Sequence, residues 1–552
     1  MTSMTGKTPS PDARVKPVTE LAARLCRELE GEVLFDHASR GRYSTDASIY
    51  QVMPLGVVIP RSQEDLALAL AIARDAGAPV LPRGAGTSQC GQTVGEALVI
   101  DTTRFLNQVI EFDAEARTAV VEPGIVLDHL NAWLKPHGLW FPVDVSTSAQ
   151  CTVGGMTGNN SCGSRSIRYG NMVHNVLGVD ALLADGGEAS FSFVEELAEG
   201  SRARLIADKV KAIAAGVAPE IREHFPKVLR RVGGYNLDLF DCQNPKPYDP
   251  DGRINLAHLL VGSEGTLAVS RRITLRLSPL PEHKVLGVVN FPTFYQAMDF
   301  TQHIVKLDPT AVELVDRTMI DLSLENPAFR PVIEKALIGK PEAVLLVEFA
   351  GQDRDAQLAA LRQLSELMCE LGLPGSVVDM PEPAEQKALW NVRKAGLNIM
   401  MSMKGDGKPV SFIEDCAVPL EHLAEYTDKL TEVFHRHGTE APGTPTPVSA
   451  PCMCARSSTC AATVPRRCAR SPSRRRHWCA STRGPTPAST AMGYAAANGW
   501  PGSSGLRSTM PFAKSSGSSI RTTASTRARS STPRRWTTTA TFASPGITGR
   551  SR

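Results

Sequence analysis

Three glycine-rich segments in the first half of the chain contain the residues best suited to hold a phosphorylated, planar ligand. Residues 82–88 read PRGAGTS, residues 151–172 read CTVGGMTGNNSCGSRSIRYGNM, and residues 261–269 read VGSEGTLAV. Successive backbone N–H groups and hydroxyls in such turns form a concavity that suits a pyrophosphate. The second segment predicts backbone that lies flat against a planar ligand, not an ordinary helix or strand. Any one of the three would suit a solvated loop equally well, so their order carries the prediction.

A candidate anion-binding residue lies in the sequence LWNVRKAGLNIM, which contains Arg393. A guanidinium fits a carboxylate through two parallel hydrogen bonds, so Arg393 could hold a small organic acid. The alternative is an arginine in a surface ion pair of a helix. Lys408, in KGDGKPVSF, is a candidate second carboxylate partner, and its alternative role is a solvated loop lysine.

The elements that position these residues follow from the hydrophobic pattern. Short apolar strands alternate with amphipathic helices, which predicts an α+β fold. Residues 1–50 are expected to form a helical segment, and residues 51–280 an α+β domain that contains the three glycine-rich segments. Residues 281–440 predict an antiparallel sheet with helices on one face. Residues 441–552 show no such pattern and are expected to be a disordered basic tail.

Charge divides the chain at the same place as the pattern. The 552 residues carry a formal net charge of +3, but residues 441–552 contain 17 of the 60 basic residues and none of the 57 acidic ones. The tail therefore carries +17 and the preceding part −14. The acidic part lacks a secretory signal and a long apolar run, which predicts a cytoplasmic protein, or one peripheral at the inner membrane.

In order and spacing, the three segments resemble the FAD-binding domain of the vanillyl-alcohol-oxidase or PCMH type, which a ferredoxin-like α+β cap domain follows. No GxGxxG opens a βαβ unit, which disfavours a nicotinamide site of the Rossmann type. In that family, the first segment wraps the FAD pyrophosphate, and the other two run along the ribityl chain and isoalloxazine. The first segment contains no histidine, so non-covalent FAD is expected.

The resemblance implies the following FAD contacts: Arg83, Gly84, Gly86, Thr87, Ser88, Pro142, Gly154, Gly155, Gly158, Asn159, Ser161, Gly262, Glu264, Gly265 and Thr266. No metal ligand is assigned.

The Trp-x-x-Arg motif at Arg393 resembles the D-lactate, glycolate and D-2-hydroxyglutarate dehydrogenase branch of this family. The resemblance implies a small 2-hydroxyacid substrate whose carboxylate binds Arg393. Hydride transfer to FAD would then leave a 2-oxoacid. A quinone, a cytochrome and an electron-transfer protein all stay open as the electron acceptor.

Two histidine motifs of this branch, H-x-G-x-G-x-x-H and E-H-G-D-G, are missing from the chain. Regrouped by one base with GC-rich codons, residues 444–455 read Y-A-H-A-G-V-G-T-L-H-V-R and residues 488–494 read G-E-H-G-D-G-L. Residues 518–532 become L-F-D-P-D-N-R-F-N-P-G-K-I-V-D, which resembles the family's C-terminal signature. We therefore hypothesise a one-base deletion near codon 441, an incomplete cap domain, and little or no turnover because the histidine base is lost.

The regrouped residues 533–545 resemble the linker of long fused enzymes that carry an iron–sulfur half. Iron–sulfur clusters are thus expected only in a full-length parent.

Two alternative functions stay open at this point. One is a different PCMH-type FAD oxidase that acts on an alditol or aromatic alcohol, although a neutral substrate would not need Arg393. The other is a nucleic-acid binder with a basic tail of charge +17, which would bind polyanions in a salt-dependent way. The tail contains no recognition motif, so no specific nucleic-acid partner is expected.

Overall fold

The computed structural model describes residues 18–228, 231, 235–240, 252–396, 399, 410–411, 417–436 and 463–464. All of them belong to one compact unit, which spans residues 1–501; a second unit, residues 502–552, contains none of them. Lys408 lies outside the described residues, and so does the expected disordered tail apart from residues 463–464.

The first layer is a four-stranded sheet with helices packed against it. Its strand order is β1-β2-β4-β3, in which β2, β4 and β3 are parallel and β1 is antiparallel to β2. Ser62 caps the helix Gln63–Ala76 by accepting a hydrogen bond from the Asp65 N–H, and Gly77 ends this helix in the left-handed region. The elements are α1 (Val18–Glu28), β1 (Glu32–Leu34), α2 (His37–Arg42), β2 (Gly56–Ile59), α3 (Gln63–Ala76), β3 (Val80–Arg83) and β4 (Leu98–Asp101).

The second layer is an antiparallel five-stranded sheet of order β5-β6-β10-β8-β9. A separate two-stranded ribbon pairs β7 with β11. The elements are β5 (Val109–Asp113), β6 (Thr118–Val121), α4 (Leu127–Leu134), β7 (Leu139–Trp140), α5 (Val153–Asn159), α6 (Ser166–Tyr169), α7 (Met172–Asn175), β8 (Val176–Leu183), β9 (Glu188–Phe191), α8 (Arg202–Gly216), α9 (Ala218–His224), β10 (Ala268–Arg276) and β11 (Ser278–Pro279). We call residues 51–280 the flavin domain.

A four-stranded antiparallel sheet of order β13-β14-β12-β15 forms the centre of the cap domain, residues 281–440. A further short pairing joins β16 of this domain to β17, which lies beyond it, in residues 441–552. The elements are β12 (His283–Phe291), α10 (Phe294–Ile304), β13 (Ala311–Asp316), α11 (Arg317–Glu325), α12 (Arg330–Ala336), β14 (Ala343–Gly351), α13 (Arg354–Glu370), β15 (Val377–Met380), α14 (Pro383–Lys394), β16 (Val410–Ser411), α15 (Leu423–Arg436) and β17 (Thr463–Val464).

Helices cover both faces of the cap sheet, so the expectation of helices on one face is wrong. Leu345 and Val347 of β14 pack with α10, α13 and α15, whereas Val344 and Leu346 pack with α11, α12 and α14. Side chains of a strand alternate between faces, and β14 is apolar at successive positions, so both of its faces need cover. Within the described residues, no helix is both long enough and apolar enough to cross a bilayer.

Candidate functional site

The three glycine-rich segments, far apart in the chain, meet at one place in the flavin domain. A Cβ on Gly84 would lie 2.2 Å from Thr152 Oγ1 and 3.7 Å from the Gly155 Cα, so the first two segments touch. A Cβ on Gly265 would lie 3.3 Å from Pro82, so the first and third segments touch as well. At Gly84 an added Cβ would force the two segments apart, whereas at Gly265 it is mainly the positive φ of 70° that favours glycine.

The first segment turns sharply after β3, and Gly86 adopts a left-handed conformation with φ of 68°. The guanidinium of Arg83 donates to the carbonyls of Tyr43, Thr45 and Thr93 at 2.8–3.1 Å. Arg83 therefore ties the start of the loop to the backbone at Tyr43 and Thr45, and to Thr93 further along the loop. The backbone N–H groups of the loop are the groups suited to a phosphate. Thr87 and Ser88 follow in the same loop, both half-buried.

The second segment contains a helix, so the expectation that it avoids ordinary secondary structure is wrong. Thr152 caps α5 by accepting a hydrogen bond from the Gly155 N–H at 3.3 Å, and Asn160 ends the helix in the left-handed region. These caps supply hydrogen-bond partners to N–H and C=O groups at the two ends of the helix, which would otherwise bond to water. Gly154 packs on Pro123, where an added Cβ would lie 2.6 Å from its side chain.

The third segment docks on the C-terminal end of α5. The N–H groups of Gly262 and Glu264 each donate at 2.9 Å, to the carbonyls of Thr157 and Gly158 respectively. Gly262, Glu264 and Gly265 all have positive φ, of 86°, 54° and 70°. Three such residues in four positions make a tight loop. Thr266 closes it, with its hydroxyl donating to the Ser263 carbonyl at 2.5 Å.

Gln92 connects all three segments, and the sequence analysis missed it. Its side chain contacts the hydroxyl of Ser88, and its Nε2 lies 3.4 Å from both Asn159 Oδ1 and Glu264 Oε1. Asn159 in turn donates to the hydroxyl of Ser161 at 2.9 Å. Gln92 lies four residues beyond Ser88 in the same loop, so a polar side chain just after the motif was the available signal.

Two buried polar atoms near this network lack a hydrogen-bond partner within the described part of the chain. They are Gln89 Oε1, directly after the first segment, and Asn160 Nδ2, in the second. Buried polar groups are nearly always satisfied, so these two point to a ligand or water at this place. The three glycine-rich segments and these two polar atoms without partners fit a bound FAD. Pro142 is buried in the adjacent segment, between Phe141 and Val143.

In the cap domain, Arg393 lies near the C-terminal end of α14 and forms an ion pair with Glu313 of β13. Its Nε and Nη2 lie 3.1 and 2.8 Å from the same oxygen, Glu313 Oε2. Glu313 is only 2% exposed and Arg393 is 20% exposed. Arg393 is therefore in an ion pair, as the alternative for it had expected, but the partner is a buried carboxylate of the sheet and the pair is not at the surface. Across the described residues, no cluster of three His, Cys, Asp or Glu side chains suits a metal ion.

Burial raises the pKa of Glu264 to about 7, against an ordinary value of 4.5, while the hydrogen bond from Gln92 opposes the shift. The folded protein therefore keeps a proton on Glu264 at pH values where the unfolded chain has released it. The stabilising effect of that proton is complete below pH 4.5 and is lost as the pH rises to about 7.

We expect Glu264→Gln to flatten the pH dependence of stability. Between about pH 5 and pH 7, Glu264 lowers the free energy of unfolding by up to about 1.4 kcal/mol per pH unit, and a glutamine lacks this titration. Urea unfolding of both proteins across this range measures the difference. The exposed Glu115→Gln serves as the control. Parallel curves for the parent chain and Glu264→Gln would contradict the assignment.

Two sequence families match this chain. The family described as "FAD binding domain" matches residues 54–191, which include the first two glycine-rich segments. The family described as "FAD linked oxidases, C-terminal domain" matches residues 280–453, which include the cap sheet and Arg393.

Curated relatives cover most of this chain. The D-2-hydroxyglutarate dehydrogenase of Escherichia coli (strain K12) is 33% identical over 446 residues, which is 76% of this chain and 43% of that protein. The enzyme of the same name from Pantoea ananatis is 32% identical and 42% covered. Glycolate oxidase subunit GlcD of Bacillus subtilis is 27% identical, with 74% of this chain and 75% of that subunit covered. The chain thus spans about two fifths of the D-2-hydroxyglutarate dehydrogenases that it matches.

Solved structures of similar fold include two of alkyldihydroxyacetonephosphate synthase, each 17% identical to this chain. One has a TM-score of 0.53 and covers 77% of this chain and 76% of that one. The other has a TM-score of 0.51, with 70% and 64% covered. At this identity the likeness concerns the fold alone.

Proposed function

This chain belongs to the PCMH-type FAD-linked oxidases, and from that premise we propose that it is the flavin-binding part of an enzyme that oxidises a D-2-hydroxyacid to a 2-oxoacid. The observation that carries the proposal is the position of Arg393. It lies one helical turn after Trp390, whose ring centroid is 5.5 Å from the guanidinium carbon of Arg165 in the flavin domain. The helix that carries Arg393 therefore contacts the flavin domain, which supports a role for this arginine in binding a substrate carboxylate.

The residues of this chain divide the work between the two domains. Backbone N–H groups of the segment around Gly84–Ser88 would bind the pyrophosphate, and the loop around Glu264 would line the rest of the cofactor. FAD, when bound, accepts a hydride from the substrate Cα. Arg393 would bind the carboxylate of the substrate and so orient the substrate, which accelerates the reaction through positioning alone. The base that takes the hydroxyl proton would come from the histidine motifs missing from this sequence.

The names of the relatives support the substrate class. D-2-hydroxyglutarate, glycolate and D-lactate all carry a hydroxyl next to a carboxylate. Each of the three appears in the name of a protein similar to this one. A common carboxylate clamp would serve all three. An alditol oxidase lacks this requirement, so Arg393 favours a hydroxyacid over a neutral alcohol.

We further propose that residues 441–552 are read one base out of frame. The support is the abrupt loss of all acidic residues after Glu440 together with the three family motifs, in order, that a single shift recovers. Matches to the curated D-2-hydroxyglutarate dehydrogenases cover 74–76% of the chain. The cap-domain family match ends at residue 453, shortly after the proposed break.

Binding of 2-hydroxyacids to the FAD-loaded protein tests the proposed substrate class. We expect D-lactate or D-2-hydroxyglutarate to shift the visible spectrum of the bound flavin in a saturable way, because Arg393 holds the ligand beside it. An alditol is the control and should leave the spectrum unchanged. Saturable binding of the alditol without any response to the hydroxyacids would overturn the proposal.

A further inference from the structure

The flavin domain and the cap domain are joined by a largely buried three-residue ion cluster of Arg165, Asp144 and Glu348. Arg165 Nε and Nη2 donate to Glu348 Oε1 and Oε2, both at 2.8 Å, in a two-bond fork. Its Nη1 donates to Asp144 Oδ2 at 2.5 Å. Arg165 and Asp144 belong to the flavin domain and Glu348 to strand β14 of the cap. One guanidinium thus binds both domains at once.

The cluster is well shielded from solvent, and its charges balance. Glu348 is 2% exposed and Arg165 is 15% exposed. Burial alone would raise the pKa of Glu348, but the adjacent Arg165 holds that pKa below its ordinary value. Lys284 and Asp144 lie near enough to affect one another electrostatically, and burial lowers the pKa of Lys284. Arg165, Lys284, Asp144 and Glu348 together balance two positive charges against two negative ones.

On the flavin side, the cluster grows out of the second glycine-rich segment. Asp144 accepts hydrogen bonds from the Arg165 N–H at 3.0 Å and from the Ser164 hydroxyl at 2.6 Å. A Cβ on Gly163 would lie 2.3 Å from the Asp144 carbonyl, so this turn needs its glycine. Asp144 itself lies two residues after Pro142. The arginine is thereby fixed to the backbone that is expected to follow the cofactor.

On the cap side, the cluster reaches the helix that carries Arg393. The guanidinium carbon of Arg165 lies 5.5 Å from the ring centroid of Trp390 on α14, within range for a cation–π contact. Arg393 follows one turn later and is itself held by Glu313. Glu313 and Glu348 lie on one face of the cap sheet, because Ala311 pairs with Glu348 and strand side chains alternate.

We propose that Arg165 is a positioning residue that holds helix α14, and with it Arg393, at a set place relative to the flavin-binding segments. This inference rests on the proposed function only in assigning Arg393 to the substrate. Arginine suits the task because its planar fork makes two bonds to Glu348 while its third nitrogen reaches Asp144. A lysine at this position could not make all three contacts.

The matched control is Arg168, three residues further along the same segment. It also pairs across the two domains, with Asp308 at 3.4 Å, but Arg168 is 40% exposed and Asp308 is 86% exposed. Solvent screens an exposed pair, whereas loss of a buried partner leaves a charge that water cannot reach. Arg165 and Arg168 variants therefore compare the same residue type in the same segment at different depths.

The experiment uses the FAD-loaded full chain and the variants Arg165→Met, Glu348→Gln and Arg168→Met. Amide hydrogen exchange of residues 383–394 reports on α14 without any substrate. We expect exchange about tenfold faster or more in the first two variants and little change in Arg168→Met. The affinity for D-2-hydroxyglutarate, measured by the flavin spectrum, should fall about tenfold in the same two variants. Glu348→Gln should leave the affinity for FAD nearly unchanged, because that residue lies outside the flavin segments.

The double variant Arg165→Met with Glu348→Gln guards against failure to fold, because it leaves neither charge of the pair behind. Faster exchange in α14 of this variant supports the proposal. Unchanged exchange in all Arg165 and Glu348 variants overturns it. If exchange rises but no hydroxyacid binds even the parent chain, the positioning role stands and the proposed substrate class fails.

Discussion

Insertion of one base ahead of codon 441 is expected to turn this chain into an active D-2-hydroxyacid dehydrogenase. The insertion would replace the basic tail by the reading that contains H-x-G-x-G-x-x-H and E-H-G-D-G. A general base in reach of the substrate hydroxyl contributes about 10²- to 10⁴-fold to rate. We expect D-lactate or D-2-hydroxyglutarate to bleach the bound flavin at least about 100-fold faster than in the present chain, as measured anaerobically by stopped flow.

Insertion of three bases at the same codon is the control, since it adds one residue without changing the frame and should restore nothing. Resequencing codon 441 in the source DNA tests the cause independently. An uninterrupted frame with no missing base would contradict the deletion. Rapid bleaching by the present chain would contradict the loss of activity.

Arg393→Met is expected to weaken hydroxyacid binding and to destabilise the cap domain. Loss of charged hydrogen bonds to the substrate carboxylate predicts affinity lower by about 10- to 100-fold. The variant also removes the guanidinium that neutralises Glu313, which is 2% exposed. Removing one member of a buried pair lowers the free energy of unfolding by about 3–5 kcal/mol. Flavin-detected titration and urea unfolding measure the two effects separately.

Arg393→Lys separates binding from stability. It keeps a positive charge near Glu313 but lacks the planar fork, so its stability should lie between those of the parent chain and Arg393→Met. Its affinity for D-2-hydroxyglutarate should still fall about tenfold or more. An Arg393→Met protein that stays folded and binds the hydroxyacid as tightly as the parent would remove Arg393 from the site.

Contacts between residues that are far apart in the chain could not be predicted from the sequence. The glycine-rich segments were identifiable because their turns impose local backbone conformations, such as the positive φ of Gly86 and Gly262. Glu313 precedes Arg393 by 80 positions, and Glu348 follows Arg165 by 183 positions. The residues next to a charged side chain in the sequence do not predict which distant charge pairs with it. Both pairs therefore required the folded chain.

Local composition also misled in two places. The glycine-rich stretch 153–159 forms α5 because Thr152 and Asn160 cap it, and caps outweigh weak helix propensity over so short a length. Strand β14 is apolar on both faces, yet the helices to cover the second face were not expected. Helix placement depends on which surface remains uncovered after the sheet forms, and that is a property of packing.

The family, the cofactor class, the candidate residue Arg393 and the break in composition after Glu440 could all be predicted from the sequence. Each depends on local residue types or on charge counted along the chain. Only the folded chain shows that Gln92 links the three glycine-rich segments, that Arg83 bonds to the distant carbonyls of Tyr43 and Thr45, and that Glu313 and Glu348 pair with the two arginines. A buried polar group needs a partner that is close in space, and that partner can lie at any distance along the chain.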